Sequence, residues 1–416
     1  MISNSIYGER RKELAETLED NSVSFLFSGT VKQRTWDQDY PFCVNRNFFY
    51  LTGLDNPNDI LVIAKLNRQV KEYLFVSRPD PYYELYHGKM LSDEEFKEFT
   101  GITNVFYHDR FDWEIGRLLS RSNFLAMNMD FHKREIDSSI MPENEMSSRI
   151  MSAHPYLKLN NIAKTINNMR RIKSDEEIAK IREAVRITGL GIESILENLS
   201  PGIYENQLQA AFEFTLRNEG AINAFDPIIA GGKNSVVLHY NKNDQQLKEG
   251  ELLLLDLGAE VDYYAADISR TFPVSGYFTE EQRYVYETVI IGQDAVINAL
   301  KPGLEINKTL DIALEAMFPR CKERGFANNL EDMKKLLPHG ICHYIGLDVH
   351  DVGDQNLLEP GMVVTIEPGL YLPDLGFGIR IEDDALITNN SCEVLSKQIL
   401  RSVDEIERFV KDKIVI

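Results

Sequence analysis

Leu247-Lys-Glu-Gly-Glu-Leu-Leu-Leu-Leu-Asp-Leu-Gly258 and Leu358-Glu-Pro-Gly-Met-Val-Val-Thr-Ile-Glu-Pro-Gly369 are two versions of one segment, and the fold of the second half turns on them. In each, a glycine turn runs into four mostly apolar residues, then an acid, then a glycine two positions on. The runs Leu252–Leu255 and Val363–Ile366 have the length and composition of buried strands. In this register Asp256 falls on Glu367, and His239 and His350 each lie seventeen residues before the acid. Further out, Leu199-Ser-Pro-Gly202 and Leu300-Lys-Pro-Gly303 open matching stretches, each followed by an expected helix ending near Glu219-Gly220 or Glu323-Arg324-Gly325. The pattern is an internal duplication, with two like halves facing each other, each offering a carboxylate-bearing strand and a histidine.

The returning strands carry acids too. A hairpin centred on Val261-Asp262 would make Asp256 and Asp267 direct cross-strand neighbours, with Cβ atoms about 4.5–5.5 Å apart. A bulge at Gly258 would shift that register by one. Two carboxylates so close in an apolar strand cannot both stay ionised without a cation, and a shared metal ion resolves the conflict. The ordinary alternative has Asp256 at a strand end and Asp267 paired with Arg270. The second half repeats the arrangement, with Glu367 ending one strand and Glu382 within the returning stretch Gly378–Ile387. Four carboxylates and one or two histidines suit a pair of divalent ions with room left for water. Pro338-His-Gly-Ile-Cys-His-Tyr-Ile-Gly-Leu-Asp-Val-His350 holds three of the eight histidines, and spacing alone does not decide which one ligates.

Ahead of this region the chain reads as a separate α/β domain. At 416 residues it exceeds one ordinary core, so two domains are expected, divided at 158/159. Residues 1–158 alternate strand-like runs (Val23–Phe27, Ile60–Ala64, Tyr73–Val76) with helical ones such as Ser92–Phe99, without a cluster of catalytic residue types. From Ser174 a long helix is expected, with Glu177 completing a capping box and Ile178, Ile181, Val185 and Ile192 on one face. The net charge of −20 disfavours nucleic acid, whose phosphates need a basic face. The four cysteines are scattered without a CxxC pair, which disfavours a zinc-thiolate site or a disulfide framework and fits a reducing compartment. No stretch approaches the ~18 apolar residues a membrane span requires. A cytoplasmic protein is the expectation.

These residues bear a family resemblance. Asp256, Asp267, His343, Glu367 and Glu382, set in LLLLDLGAEVDYYAADISRTF, PHGICHYIGLDVHDVG, VVTIEPGLY and GIRIEDDALIT, resemble the five-ligand set of the methionine aminopeptidase, aminopeptidase P and prolidase superfamily. Arg171–Arg182 resembles the entry to its catalytic domain, and Tyr40–Gly53 resembles a segment of the aminopeptidase P N-terminal domain. There the family usually has Arg at position 43 and Ser-Asp at 46–47; here stand Cys43, Arg46 and Asn47. The resemblance implies a duplicated pita-bread catalytic domain at 159–416, with antiparallel sheet and flanking helices, behind a smaller α/β N-terminal domain.

It implies two divalent metal ions, most commonly manganese, with cobalt or zinc accepted. Asp256 would chelate one, Asp267 and Glu382 would bridge both, and His343 and Glu367 would bind the second. A hydroxide bridging the ions would attack the scissile carbonyl, Glu367 would move protons, and His239 and His350 would steady the tetrahedral intermediate. His339, with Arg380 and Tyr371, would line the pocket for the residue after the scissile bond. The implied substrates are peptides with proline second, cleaved by a homo-oligomer, dimer or tetramer. The alternative is a prolidase, limited to Xaa-Pro dipeptides, with the same metal site. A metal-free amidinohydrolase acting on creatine, or a non-enzymatic binding module of this fold, would have lost ligands that are intact here.

Overall fold

The computed structural model describes residues 4–129, 142–353 and 357–414. The chain divides into two compact units, Met1–Arg170 and Arg171–Ile416. The expected boundary at 158/159 falls within the strand Lys158–Asn161, the last strand of the first unit's sheet, and that unit runs on to Arg170.

In the first unit six strands form a mixed sheet in the order Asn104–Tyr107, Gln69–Val76, Ile60–Leu66, Ser22–Phe27, Phe124–Met127, Lys158–Asn161. Alternate residues of the central strand, Val23, Phe25 and Phe27, join Val62, Phe75 and Leu125 in a core closed by Phe111, Ile115 and Leu118 of the helix Phe111–Leu119. The period of two on the strand meets the helical period of three to four on the helix. The expected Ser92–Phe99 stretch forms the helix Asp93–Thr100, N-capped by Ser92 with Glu95 closing the capping box. Part of the polar run from Met141 to His154 is the helix Pro142–Ala153; Met141 lies outside the described residues. Asn47, one of the departures from the family pattern, is buried and bonded: its amide donates to Asn128 and Asn167, and Arg170 donates to its oxygen at 2.8 Å. Cys43 is exposed.

The second unit opens with the helix Asp175–Asn198, N-capped by Ser174 in the expected capping box and burying Ile178, Ile181, Val185 and Ile192. The duplication is visible in the strand registers. Leu252–Leu257 pairs antiparallel with Ile268–Pro273, placing Asp256 opposite Ser269. Val363–Ile366 pairs with Asp383–Ile387 and ends at Ile366 opposite Asp383, so Glu367 and Glu382 face each other one step beyond. Asp256 therefore corresponds to Glu367, as expected, but the counterpart of Glu382 is Ser269 rather than Asp267. Contacts between the halves repeat the symmetry: the Asp267 N–H donates to the Asp384 carboxylate at 3.2 Å, and the Arg380 N–H donates to the Thr271 hydroxyl at 3.2 Å.

Asp256 and Asp267 are not direct partners. The hairpin turns at Asp262-Tyr263, both at positive φ, one residue later than expected, which moves Asp267 two places along the partner strand from Asp256's opposite number. The pair is diagonal on one face, still within reach of a shared ion. Nor does Asp267 pair with Arg270, which is wholly buried against Asp383 at 2.7 Å.

Each hairpin breaks its ladder beside the acids. In the first half pairing stops at Leu257/Ile268 and resumes at Glu260/Ala265; in the second it stops at Ile366/Asp383 and resumes at Gly369/Arg380. Glycine is required at the first break, since a Cβ on Gly258 would lie 2.0 Å from the Ala266 carbonyl oxygen and 2.7 Å from Phe225. The obstacle is backbone, so the strands bearing Asp256 and Asp267 must part. We expect Gly258→Ala to cost at least ~1–3 kcal/mol, the usual range for overpacking, and to lower metal content. Thermal unfolding and elemental analysis check both.

Candidate metal centre

Asp256 stands next to last in the strand Leu252–Leu257, and Asp267 immediately precedes Ile268–Pro273. Glu367 follows Val363–Ile366, and Glu382 sits in the break before Asp383–Ile387. His343 reaches them from the neighbouring loop, whose carbonyls take the N–H groups of Thr365 and Glu367. All five line one cavity of about 300 Å³, together with His239, His339, His350 and Arg380. Tyr371, the remaining predicted site residue, touches His339 and Arg380.

The geometry is that of a cation site. His343 Nε2 lies 3.5 Å from Asp267 Oδ2, 3.6 Å from Glu367 Oε1 and 3.9 Å from Glu382 Oε1. Its Nδ1–H donates to the Tyr344 carbonyl at 3.0 Å, so the Nε2 lone pair faces the carboxylates. Donor atoms of Asp256, Asp267 and Glu382 lie within 4.8 Å of one another, as do those of His343, Glu367 and Glu382. A third such group joins Asp267 and His343 to His350.

Electrostatics argue the same way. Burial, then the neighbouring Asp256, holds the Asp267 carboxyl well above the usual range, and burial with Asp267 does the same to Glu382. Burial pushes Glu367 to about 7. Among the described residues, the buried oxygens Asp256 Oδ1 and Asp267 Oδ1 find no hydrogen-bond partner. Such groups are costly unless something positive meets them. Divalent cations fit this donor set, which is oxygen-rich with one imidazole and lacks thiolate.

Around the acids runs a second polar chain. Arg380 NH2 reaches Asp256 Oδ2 at 2.6 Å, its Nε reaches Ser269 Oγ at 2.8 Å, and its NH1 donates to the Tyr371 hydroxyl at 2.9 Å. Tyr371 in turn lies 2.9 Å from His339 Nε2, whose other nitrogen donates to the Gly340 carbonyl at 2.7 Å. The expected pocket residues are thus one network, with Arg380 tied to a ligand candidate. His239 and His350 stand on the cavity wall with part of each side chain open, and the partial burial of its ring lowers the His350 pKa.

Asp384 escaped the sequence reading. It is fully buried, burial pushes its carboxyl to about 8, and its Oδ2 accepts the Asp267 N–H while Oδ1 finds no partner among the described residues. An acid two residues after Glu382 on a strand shares its face, which was the available signal. Ser269, whose hydroxyl donates to Glu382 Oε2 at 2.8 Å, offered none.

Residues 179–389 match the model of metallopeptidase family M24, and residues 7–126 match the aminopeptidase P N-terminal domain. The chain is 31% identical to the Xaa-Pro aminopeptidase of Haemophilus influenzae, over 97% of this chain and 96% of that one. It is 30% identical to the Xaa-Pro aminopeptidase of Escherichia coli, over 98% of each. Among solved structures, zinc-substituted E. coli aminopeptidase P in complex with product superposes with a TM-score of 0.92 at 28% identity, covering 99% of both chains.

Proposed function

The chain belongs to metallopeptidase family M24 and carries the aminopeptidase P N-terminal domain, and from that premise we propose how its residues divide the work. It is a metallo-aminopeptidase that releases the N-terminal residue from peptides with proline second; full-length similarity to Xaa-Pro aminopeptidases favours this over a prolidase. A divalent metal serves it. The observation that carries the detailed reading is the convergence of four carboxylates and His343 on one cavity, in two donor groups that share Glu382.

On this reading two ions, preferably manganese, would be held by Asp256, Asp267, His343, Glu367 and Glu382. When bound, the ions supply Lewis acidity, polarising the scissile carbonyl and acidifying water. Glu367, placed 3.6 Å from both His343 and His339, accepts the water's proton and delivers it to the leaving proline nitrogen. That nitrogen belongs to a tertiary amide with no N–H, so recognition must come from shape, which His339 and Tyr371 provide beside the acids. His239 and His350 donate to the oxyanion. Two further expectations rest on the resemblance and on the free thiols: a cytoplasmic location and a homo-oligomer, dimer or tetramer. Among the described residues no helix is long and apolar enough to cross a membrane.

The test uses chelator-stripped protein with Ala-Pro and Ala-Pro-Gly, before and after manganese is added. Tripeptide cleavage that appears only with metal is the expected result. Cleavage of the dipeptide alone would make the enzyme a prolidase, and cleavage of neither would overturn the reading.

A further inference from the structure

The ladder break beside Glu367 and Glu382 leaves a mechanical problem. Neither ligand candidate is held by the pairing of its own hairpin: the Glu367 N–H donates to the Ile341 carbonyl, and the Glu382 N–H to the Ser269 carbonyl. A single backbone bond crosses the break, from the Ile381 N–H to the Pro368 carbonyl at 3.2 Å, and the rest of the tie between the two strands must come from elsewhere. Gln293, fully buried on the helix Glu280–Ala299, occupies that place. Its Nε2 lies 3.0 Å from the Ile366 carbonyl, 3.2 Å from the Ile381 carbonyl and 2.9 Å from Asp383 Oδ2. Ile366 and Ile381 are the residues immediately before Glu367 and Glu382. One side-chain amide therefore ties together the residues that precede both acids, where the sheet supplies only the one backbone bond.

The amide is itself oriented. Arg401 Nε donates to Gln293 Oε1 at 2.7 Å, and an arginine can only donate, so the Nε2 side must face the carbonyls. Arg401 is anchored in turn to Asp294 at 2.6 Å. On the far side, Arg270 donates to the Glu382 carbonyl at 2.6 Å and to Asp383. Beside that backbone bond the break is thus bridged by the buried side chains Gln293, Arg270 and Asp383, out of water, where such bonds are strongest.

We propose that Gln293 is a positioning residue that sets the spacing of Glu367 and Glu382, and with it the affinity for the divalent cation they share. The inference rests on the assignment of those two acids as ligands. Loss of an outer partner of this kind typically costs about 10- to 100-fold in metal affinity. Gln293→Met keeps the volume and removes the donor. Titrating metal-stripped protein with manganese chloride should give a dissociation constant raised by that factor, with native circular dichroism and reduced kcat. Val296→Ala, in the same buried helix but touching neither carbonyl, should lower the melting temperature and leave manganese affinity unchanged. Arg401→Met, which frees the amide to turn over, should weaken manganese in the same direction, and it decides the matter alone if Gln293→Met does not fold. Wild-type affinity in the glutamine variant, or an equal loss in Val296→Ala, overturns the inference. Glu382→Gln separates the two levels. If it keeps its metal, the ligand assignment fails; if it loses metal while Gln293→Met binds normally, only the positioning role fails.

Discussion

Asp267→Asn is expected to abolish peptide hydrolysis and to strip metal from the protein. Asparagine keeps the volume and one oxygen but cannot supply the negative charge that the proposed ligand role requires. Lewis-acid catalysis accounts for several kcal/mol of transition-state stabilisation, and each 1.36 kcal/mol is tenfold, so the loss in turnover should be on the order of 10³-fold or more. Metal analysis of the purified variant should show a deficit against the parent; full metal with full turnover would sink the assignment. Stability in the metal-free protein should move the other way. The buried Asp267 carboxyl has its pKa raised by desolvation and by Asp256, so its folded form holds a proton more tightly than the unfolded chain does. Such a group leaves stability intact below the ordinary carboxylate pKa of about 4 and erodes it as pH rises through the raised value. Asparagine removes that erosion. Without metal, Asp267→Asn should therefore melt higher than the parent near neutral pH and alike near pH 4, while with metal the parent should melt higher.

What could be read in advance was whatever the duplication wrote twice. Asp256 and Glu367 stand out because an apolar strand, an acid and a glycine recur in one frame, and the structure keeps that frame strand for strand. Register failed where turn chemistry was silent: Asp262 tolerates positive φ, but Tyr263 at φ 70° is not a residue that advertises a turn. That one residue turned a direct carboxylate pair into a diagonal one and made Ser269, not Asp267, the partner of Glu382 across the duplication. The second tier was illegible for another reason. Arg380 meets Asp256 across 124 positions, Asp384 meets Asp267 across 117, and Gln293 meets Ile366 across 73. No local period encodes such contacts; they follow from how the two hairpins are packed. Gln293 on a buried helix reads as an ordinary polar residue until the broken ladder beneath it is seen.

His350 is where geometry and resemblance divide. Its donor atom falls in a group with Asp267 and His343, and its ring lies 4.3 Å from that of His343 at 74°, so a ligand role is sterically open. The duplication argues otherwise. His239 holds the matching place before Asp256 and joins none of the donor groups among the described residues, whereas a shared oxyanion would use both histidines. His350 is also the most exposed member of that group, whereas Asp267 is buried and His343 half-buried, as donors that enclose an ion would be. With its pKa lowered by burial, the imidazole is neutral near pH 7 and can donate one N–H. His350→Ala should accordingly lower kcat by about 10²–10³-fold, the effect of losing one oxyanion donor, with metal content and KM close to the parent. His239→Ala should do the same, and the double variant should lose less than the product of the two if, as proposed, both donors serve one oxygen. A His350→Ala protein that loses its metal would instead make this histidine a ligand, with Asp267 and His343 as its companions.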